Sequence, residues 1–335
     1  MLTFDTKIQG LIKKACKNKK HIKLTIGAYA QGEKMIRVFN ETGETQNEND
    51  IYEIGSITKT FTCSLLAKYL YEEKMSLEDS ISKYVSGLNA DTYYPTLQRL
   101  ATHTAGYARS LPLSQWESIK FIPGYIFSGA VNGGKYPFHL DFEKMKQLLQ
   151  DIKLQDKDYP WQYSNFGMAL LGYAIGVVSG QGYWDTMSDF LSNELGLKHS
   201  YTGTCPGKNL RGYNRNNKDI GNWIWDKDLA APAGDISSTA EDLLEYARIN
   251  MYEEQPYLAL CHLKHMESKK LDMGLGWVMT KDKEPILWHN GGTGAFRSYL
   301  GIDKQKKCAS VVLSNYFLPS TDKIGLAVLE QLQNQ

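Results

Sequence analysis

Strand-like stretches crowd both ends of this chain and nearly vanish between about residues 75 and 235. Ile22 to Ala30 is rich in β-formers, Gln31-Gly32-Glu33 marks a turn, and Met35 to Phe39 returns, which reads as a hairpin. Near the other end, Gly274 to Met279, Ile286 to His289, Ala295 to Ile302 and Ala309 to Ser314 alternate with turns such as Asp303-Lys304-Gln305-Lys306. Strands left at two distant ends bury their apolar faces most economically in one antiparallel sheet. Amphipathic patterns at Phe4 to Lys19 and Ser320 to Leu332 supply helices to cover it. The fold class expected is an α/β domain from residues 1–75 and 235–335, with a mainly helical insertion over 76–234 and a site at their seam.

The middle reads as helices. Leu97 to Thr102 ends at His103-Thr104-Ala105-Gly106, and helical patterns return at Phe142 to Ile152, Asn165 to Val178 and Tyr183 to Glu194. Glu241 to Met251 follows, capped by Ser238 or Thr239. Tyr107 to Tyr136, rich in Pro, Gly, Ser and aromatics, reads as irregular.

A net charge of +1 points away from nucleic acid and anionic membranes as partners. The five cysteines, Cys16, Cys63, Cys205, Cys261 and Cys308, are odd in number and widely spaced, as expected of reduced thiols without a zinc site. Met1 to Lys20 lacks the apolar run of a signal peptide, and Phe166 to Val178 is too short to span a bilayer. These features lead us to expect a cytoplasmic protein.

One stretch carries chemistry. In Tyr52-Glu53-Ile54-Gly55-Ser56-Ile57-Thr58-Lys59, a helix opening at Ser56 would put Lys59 on the same face one turn later. Ile57, Phe61, Leu65 and Ala67 recur near a helical period beyond it. A helix start offers free N–H groups to an oxyanion, so a serine, an amine and those donors would form a hydrolase nucleophile. Ser-x-x-Lys also occurs at Ser80 and at Ser320, so the motif needs partners.

Tyr163-Ser164-Asn165 opens another helix. As an anchor, Tyr163 needs no special chemistry; beside an ammonium, its phenol would ionise far below its ordinary value of about 10 and take the serine proton. Trp288-His289-Asn290-Gly291-Gly292-Thr293-Gly294 reads as a strand ending at His289 in a glycine-rich bend. Glycines there serve a hairpin with positive φ, or let a substrate approach the backbone. His262 and His265 fit a surface helix face better than a metal site, and His103 fits a structural role. Gly291 to Gly294 lacks the lysine of a phosphate loop.

Together the three motifs, Ser56 to Lys59, Tyr163 to Asn165 and His289 to Gly291, resemble those of the serine β-lactamase and penicillin-binding-protein superfamily, its class C branch in particular. Leu100 to Gly106, Ser164 to Gly172, Ala231 to Asp242 and Gly274 to Trp277 are similar to further family segments. The resemblance implies an acyl-enzyme on Ser56, with Lys59 beside it and Tyr163 as general base. It implies that Asn165 orients substrate or Lys59, and that the N–H groups of Ser56 and Gly292 bind the oxyanion. It implies no metal and no cofactor. His289 stands where the family carries a lysine, and a neutral imidazole offers less to a substrate carboxylate. The activity expected is therefore hydrolysis of an ester or amide, esterase or peptidase in type, on a small-molecule or peptide-like substrate. The alternatives are a β-lactamase, a D-alanyl-D-alanine carboxypeptidase, or a penicillin-binding sensor without turnover.

Overall fold

The computed structural model of the protein describes residues 3–46, 49–109, 134–135, 139–203, 205, 210–225 and 228–335. Among these, the two chain ends do build one sheet. Its nine strands lie in the order Gly43–Thr45, Glu33–Asn40, Leu24–Ala30, Cys308–Ser314, Arg297–Asp303, Leu287–Gly292, Val278–Met279, Asp272–Met273 and Met266–Glu267. The ends join where Leu24 pairs Ser314 and Ala30 pairs Cys308, antiparallel.

Leu24–Ala30 and Cys308–Ser314 are buried along their whole lengths. A strand without polar alternation needs cover on both faces. On one face, Ile8, Ile12 and Cys16 of the helix Thr6–Cys16 pack with Ile324 and Val328 of the helix Ser320–Gln333. The helix Ala240–Tyr252, capped by Thr239, covers the other with Leu243, Leu244 and Tyr246. Gly27 keeps that contact close, since a Cβ there would lie 3.0 Å from Leu244 Cδ1.

Behind that helix runs Thr58–Tyr71, whose burial extends well beyond the recurring Phe61, Leu65 and Ala67. Every residue from Thr58 to Ala67 is buried. The reason is tertiary: the helices Asn165–Ser179 and Leu258–His262 and the turn Ala231–Ala233 surround it. Its polar side chains find partners inside, Thr62 Oγ1 on Tyr183 Oη at 2.7 Å and Ser64 Oγ on Tyr246 Oη at 2.9 Å. Phe61 stacks on Tyr246 with ring centroids 3.8 Å apart. Full burial of such a ring contributes about 2–3 kcal/mol. The helix that carries Lys59 is thus anchored on all sides.

Other expectations shift locally. The reading of one strand over Gly274 to Met279 gives way to two short strands parted by a turn, in which Gly276 has φ of +73°. Tyr183 to Glu194 is α-helical to Asp189 and then π-helical. Most of Tyr107 to Tyr136 lies outside the described residues. All five cysteines are free thiols. No helix among the described residues is long and apolar enough to cross a membrane.

Candidate active site

Ser56 lies in a single 3-10 turn, Gly55–Ile57, that leads into the Thr58–Tyr71 helix. Its partner is where the i, i+3 spacing puts it: Lys59 Nζ is 3.1 Å from Ser56 Oγ. The amine also donates to the carbonyl of Ala233. Lys59 is fully buried, and burial, then the Arg109 guanidinium, holds its pKa far below the ordinary lysine value. An amine so placed is neutral more readily and can accept a proton.

The other Ser-x-x-Lys sites differ. Ser80 Oγ bonds to the Tyr94 carbonyl at 3.0 Å, and Lys83 is paired with Asp79 at 2.9 Å. Lys323 is exposed on the C-terminal helix.

Tyr163 lies close enough to the same serine for the two side chains to interact. Lys59 Nζ lies 4.8 Å and the Arg109 guanidinium carbon 5.2 Å from its ring centroid. The expected fall of its pKa is not what this environment gives. Burial raises it above the ordinary phenol value; Ser56, Arg109 and Arg297 only partly oppose that. Burial thus favours the neutral form of the Tyr163 phenol.

Beneath Tyr163 sits His103, buried, with φ of +61°. Its ring centroid is 4.7 Å from that of Tyr163, and its Nδ1 accepts the Ser164 N–H at 3.2 Å. That bond requires an unprotonated Nδ1. Burial, Lys59 and His289 all push its pKa far down, which keeps the ring neutral. His103 thus props the Tyr163–Asn165 segment. Ser164 caps the following helix by accepting the Gly167 N–H, and Asn165 opens that helix with its N–H on the Arg109 carbonyl.

His289 faces the group from the sheet. It lies inside the strand Leu287–Gly292 rather than at its end. Its ring centroid is 6.3 Å from that of Tyr163, and its Nδ1 is 2.7 Å from the Asn290 carbonyl. A carbonyl only accepts, so Nδ1 carries the hydrogen and Nε2 is left as an acceptor. Burial first, then Lys59 and Arg297, lowers its pKa to about 3. His289 is therefore neutral.

The glycines have a different reason from a hairpin. Gly291 and Gly292 belong to the strand, and neither has positive φ. A Cβ on Gly291 would lie 1.9 Å from the Ile54 carbonyl oxygen. Gly55, with φ of +52°, has no room for a Cβ either, since that atom would be 2.6 Å from Gly292 N. Strand and nucleophile turn are packed backbone against backbone, pinned by Ser298 Oγ donating to the Ile54 carbonyl at 2.7 Å.

Sequence reasoning missed Arg109, Arg297 and Glu53. Arg297 pairs Gly292 across the strands, holds Asp322 at 2.7 Å and stacks 5.5 Å from the Phe317 ring centroid. His262 does not present its ring to the surface: the side chain is 4% exposed and bonded to Glu253 at 2.8 Å and Asn250 at 3.1 Å. No cluster able to hold a metal ion is present among the described residues.

A serine with a buried amine on its hydroxyl and a phenol beside it, packed against the middle strands of such a sheet, defines a serine hydrolase site. The beta-lactamase family model matches residues 26–335, so the chain belongs to that family and is a serine hydrolase of this kind. A beta-lactamase of Pseudomonas fluorescens is 25% identical over 322 residues, covering 84% of this chain and 83% of that protein. The D-alanyl-D-alanine-carboxypeptidase/endopeptidase AmpH of Escherichia coli K12 is 26% identical over 310 residues, covering 83% of this chain and 76% of its own length. A class C beta-lactamase structure superposes with a TM-score of 0.77 at 20% identity, covering 98% of this chain and 97% of the other.

Proposed function

We propose that the protein hydrolyses an ester or amide bond through an acyl-enzyme on Ser56. The observation that carries this reading is the buried Lys59 amine 3.1 Å from Ser56 Oγ, with its pKa driven far down. In the unprotonated form Lys59 accepts the Ser56 proton as Oγ attacks the carbonyl. Negative charge then develops on the carbonyl oxygen. The N–H groups of Ser56 and Gly292 receive it, and the backbone packing of Gly55 on Gly292 keeps those donors preorganised. Tyr163, neutral and beside Ser56, gives its proton to the leaving group and is reprotonated by the Lys59 ammonium. Water then attacks the acyl-enzyme, with Tyr163 and Lys59 taking and returning the proton in reverse.

Asn165 and His289 border the substrate, Asn165 to hold an amide and His289 to offer the Nε2 acceptor. Gly291 lets an extended substrate lie against the strand. The site falls at the seam of residues 1–75 and 235–335 with residues 76–234. A neutral His289 favours an esterase or peptidase type of substrate. The names of the relatives make a cephalosporin and a D-alanyl-D-alanine peptide the natural comparisons.

Intact mass spectrometry with a penicillin and with an activated ester, followed over time, tests the reading. An acyl adduct that forms on the wild type and decays supports it. A stable adduct favours binding without turnover, and no adduct with either reagent contradicts it.

A further inference from the structure

Glu53 lies three residues before Ser56, in a short strand, Tyr52–Glu53, that pairs with Ser237–Ser238. It is 5% exposed. Its Oε1 accepts the Trp223 N–H at 2.9 Å. Thr293, also buried, follows Gly292 directly and is close enough to act on the Glu53 carboxyl. Yet neither Glu53 Oε2 nor Thr293 Oγ1 completes a hydrogen bond among the described residues. A carboxylate with no donor on one buried oxygen is costly, whereas a carboxylic acid has a proton to give to a hydroxyl.

The surroundings favour the acid. Thr293, Trp223 and Asn222 face Glu53 from the glycine-rich bend and the 222–223 segment, and each is uncharged. The charged group that acts on it is Asp235, from the segment before Ser237, and this too is an acid. Burial first, with Asp235 adding to it and the Trp223 N–H bond among the contacts that oppose it, raises the Glu53 pKa to about 7. Asp235 itself is raised to about 7 by burial, against bonds from Thr202 and the Gly203 N–H.

We propose that Glu53 is a positioning residue that works as a neutral acid, its O–H donating to Thr293 Oγ1 and setting the Gly292 bend against the Ser56 turn. When it ionises, it places a negative charge beside the position where the oxyanion forms, and acylation slows. The inference rests on the reading of Ser56 as nucleophile and Gly292 N–H as oxyanion donor.

The test is the second-order rate of acylation by p-nitrophenyl acetate from pH 5.5 to 9, in wild type and Glu53→Gln. Glutamine keeps the shape and a donor and cannot ionise. The ratio of Glu53→Gln to wild-type rate should climb roughly tenfold from the acid to the alkaline end, as one nearby partly screened charge allows. A ratio independent of pH overturns the proposal. Thr293→Val removes the acceptor of the acid's proton and so disfavours the neutral form, so the alkaline fall should move to lower pH; an unmoved fall counts against Thr293 as the partner. The fall should persist in Asp235→Asn, and its loss there would assign the titration to Asp235 instead. Should Glu53→Gln fold poorly, a protonated-carboxyl infrared band in Asp235→Asn that fades through about pH 7 supports the acid, and its absence there at pH 6 overturns it. The underlying reading fails separately: Ser56→Ala acylated as fast as wild type defeats the nucleophile assignment whatever Glu53 does.

Discussion

Gly55 and Gly292 meet backbone to backbone, so tightly that a Cβ on Gly55 would sit 2.6 Å from Gly292 N. This contact ties the nucleophile turn to the strand proposed to bind the oxyanion. Gly55→Ala must both leave its left-handed φ and push the strand away. We expect kcat/KM to fall by about 100-fold or more, the loss typical of one oxyanion donor. Gly32→Ala is the control: φ is +83° but the space around it is open, so stability should drop by only about 1 kcal/mol with activity kept. Equal activity losses in the two variants would remove the special role of the contact.

Lys59 governs the rising limb of the pH profile. Its pKa is depressed by burial and Arg109, so acylation should gain with pH well before an ordinary lysine would deprotonate. Lys59→Arg keeps the charge but cannot supply a neutral base, and acylation should fall roughly 100- to 10,000-fold. Stopped-flow acylation rates against pH check this; an arginine variant near wild-type rate would exclude the base role.

The sequence made Ser56 and Lys59 legible because their pairing is local, set by one helical turn. The chain-end sheet was legible too, because strand patterns cluster where helix patterns do not. Long-range relations were less readable. Nothing within a few residues of Tyr163 announces that burial would outweigh nearby cations and raise its pKa. The glycines at 291 and 292 were visible, but their cause was not, since Ile54 and Gly55 lie far away in sequence. His262 looked like a surface residue because its partners Glu253 and Asn250 are brought to it by a turn between two helices.

His289→Lys should shift substrate choice. Neutral His289 gives a carboxylate little charge attraction, and a lysine restores it. We expect kcat/KM for a chromogenic cephalosporin relative to a neutral ester to rise about fivefold, near 1 kcal/mol, as a partly solvated ion pair gives. The ratio should be measured from pH 5 to 9, where wild-type His289, with a pKa of about 3, contributes no titration of its own. An unchanged ratio would place carboxylate recognition elsewhere.

Asp235 should cost stability as pH rises. Its carboxyl is raised from 3.8 to about 7 in the folded chain. The folded state thus holds the proton more tightly than the unfolded one between those values, and stability declines with pH across that window. Asp235→Asn should flatten the decline and be more stable above pH 7 by roughly 1–2 kcal/mol. Thermal melting of both proteins at pH 5 and pH 8 checks the sign; a variant less stable at pH 8 than at pH 5, relative to wild type, reverses it.

The nucleophile is the centre of the account. Peptide mapping by mass spectrometry after reaction with a fluorophosphonate tests it directly, in wild type and in Ser56→Ala, Ser80→Ala and Ser320→Ala. The label should fall on Ser56 alone, abolished in Ser56→Ala and undiminished in the other two. A label carried by another residue, or retained in Ser56→Ala, would contradict it.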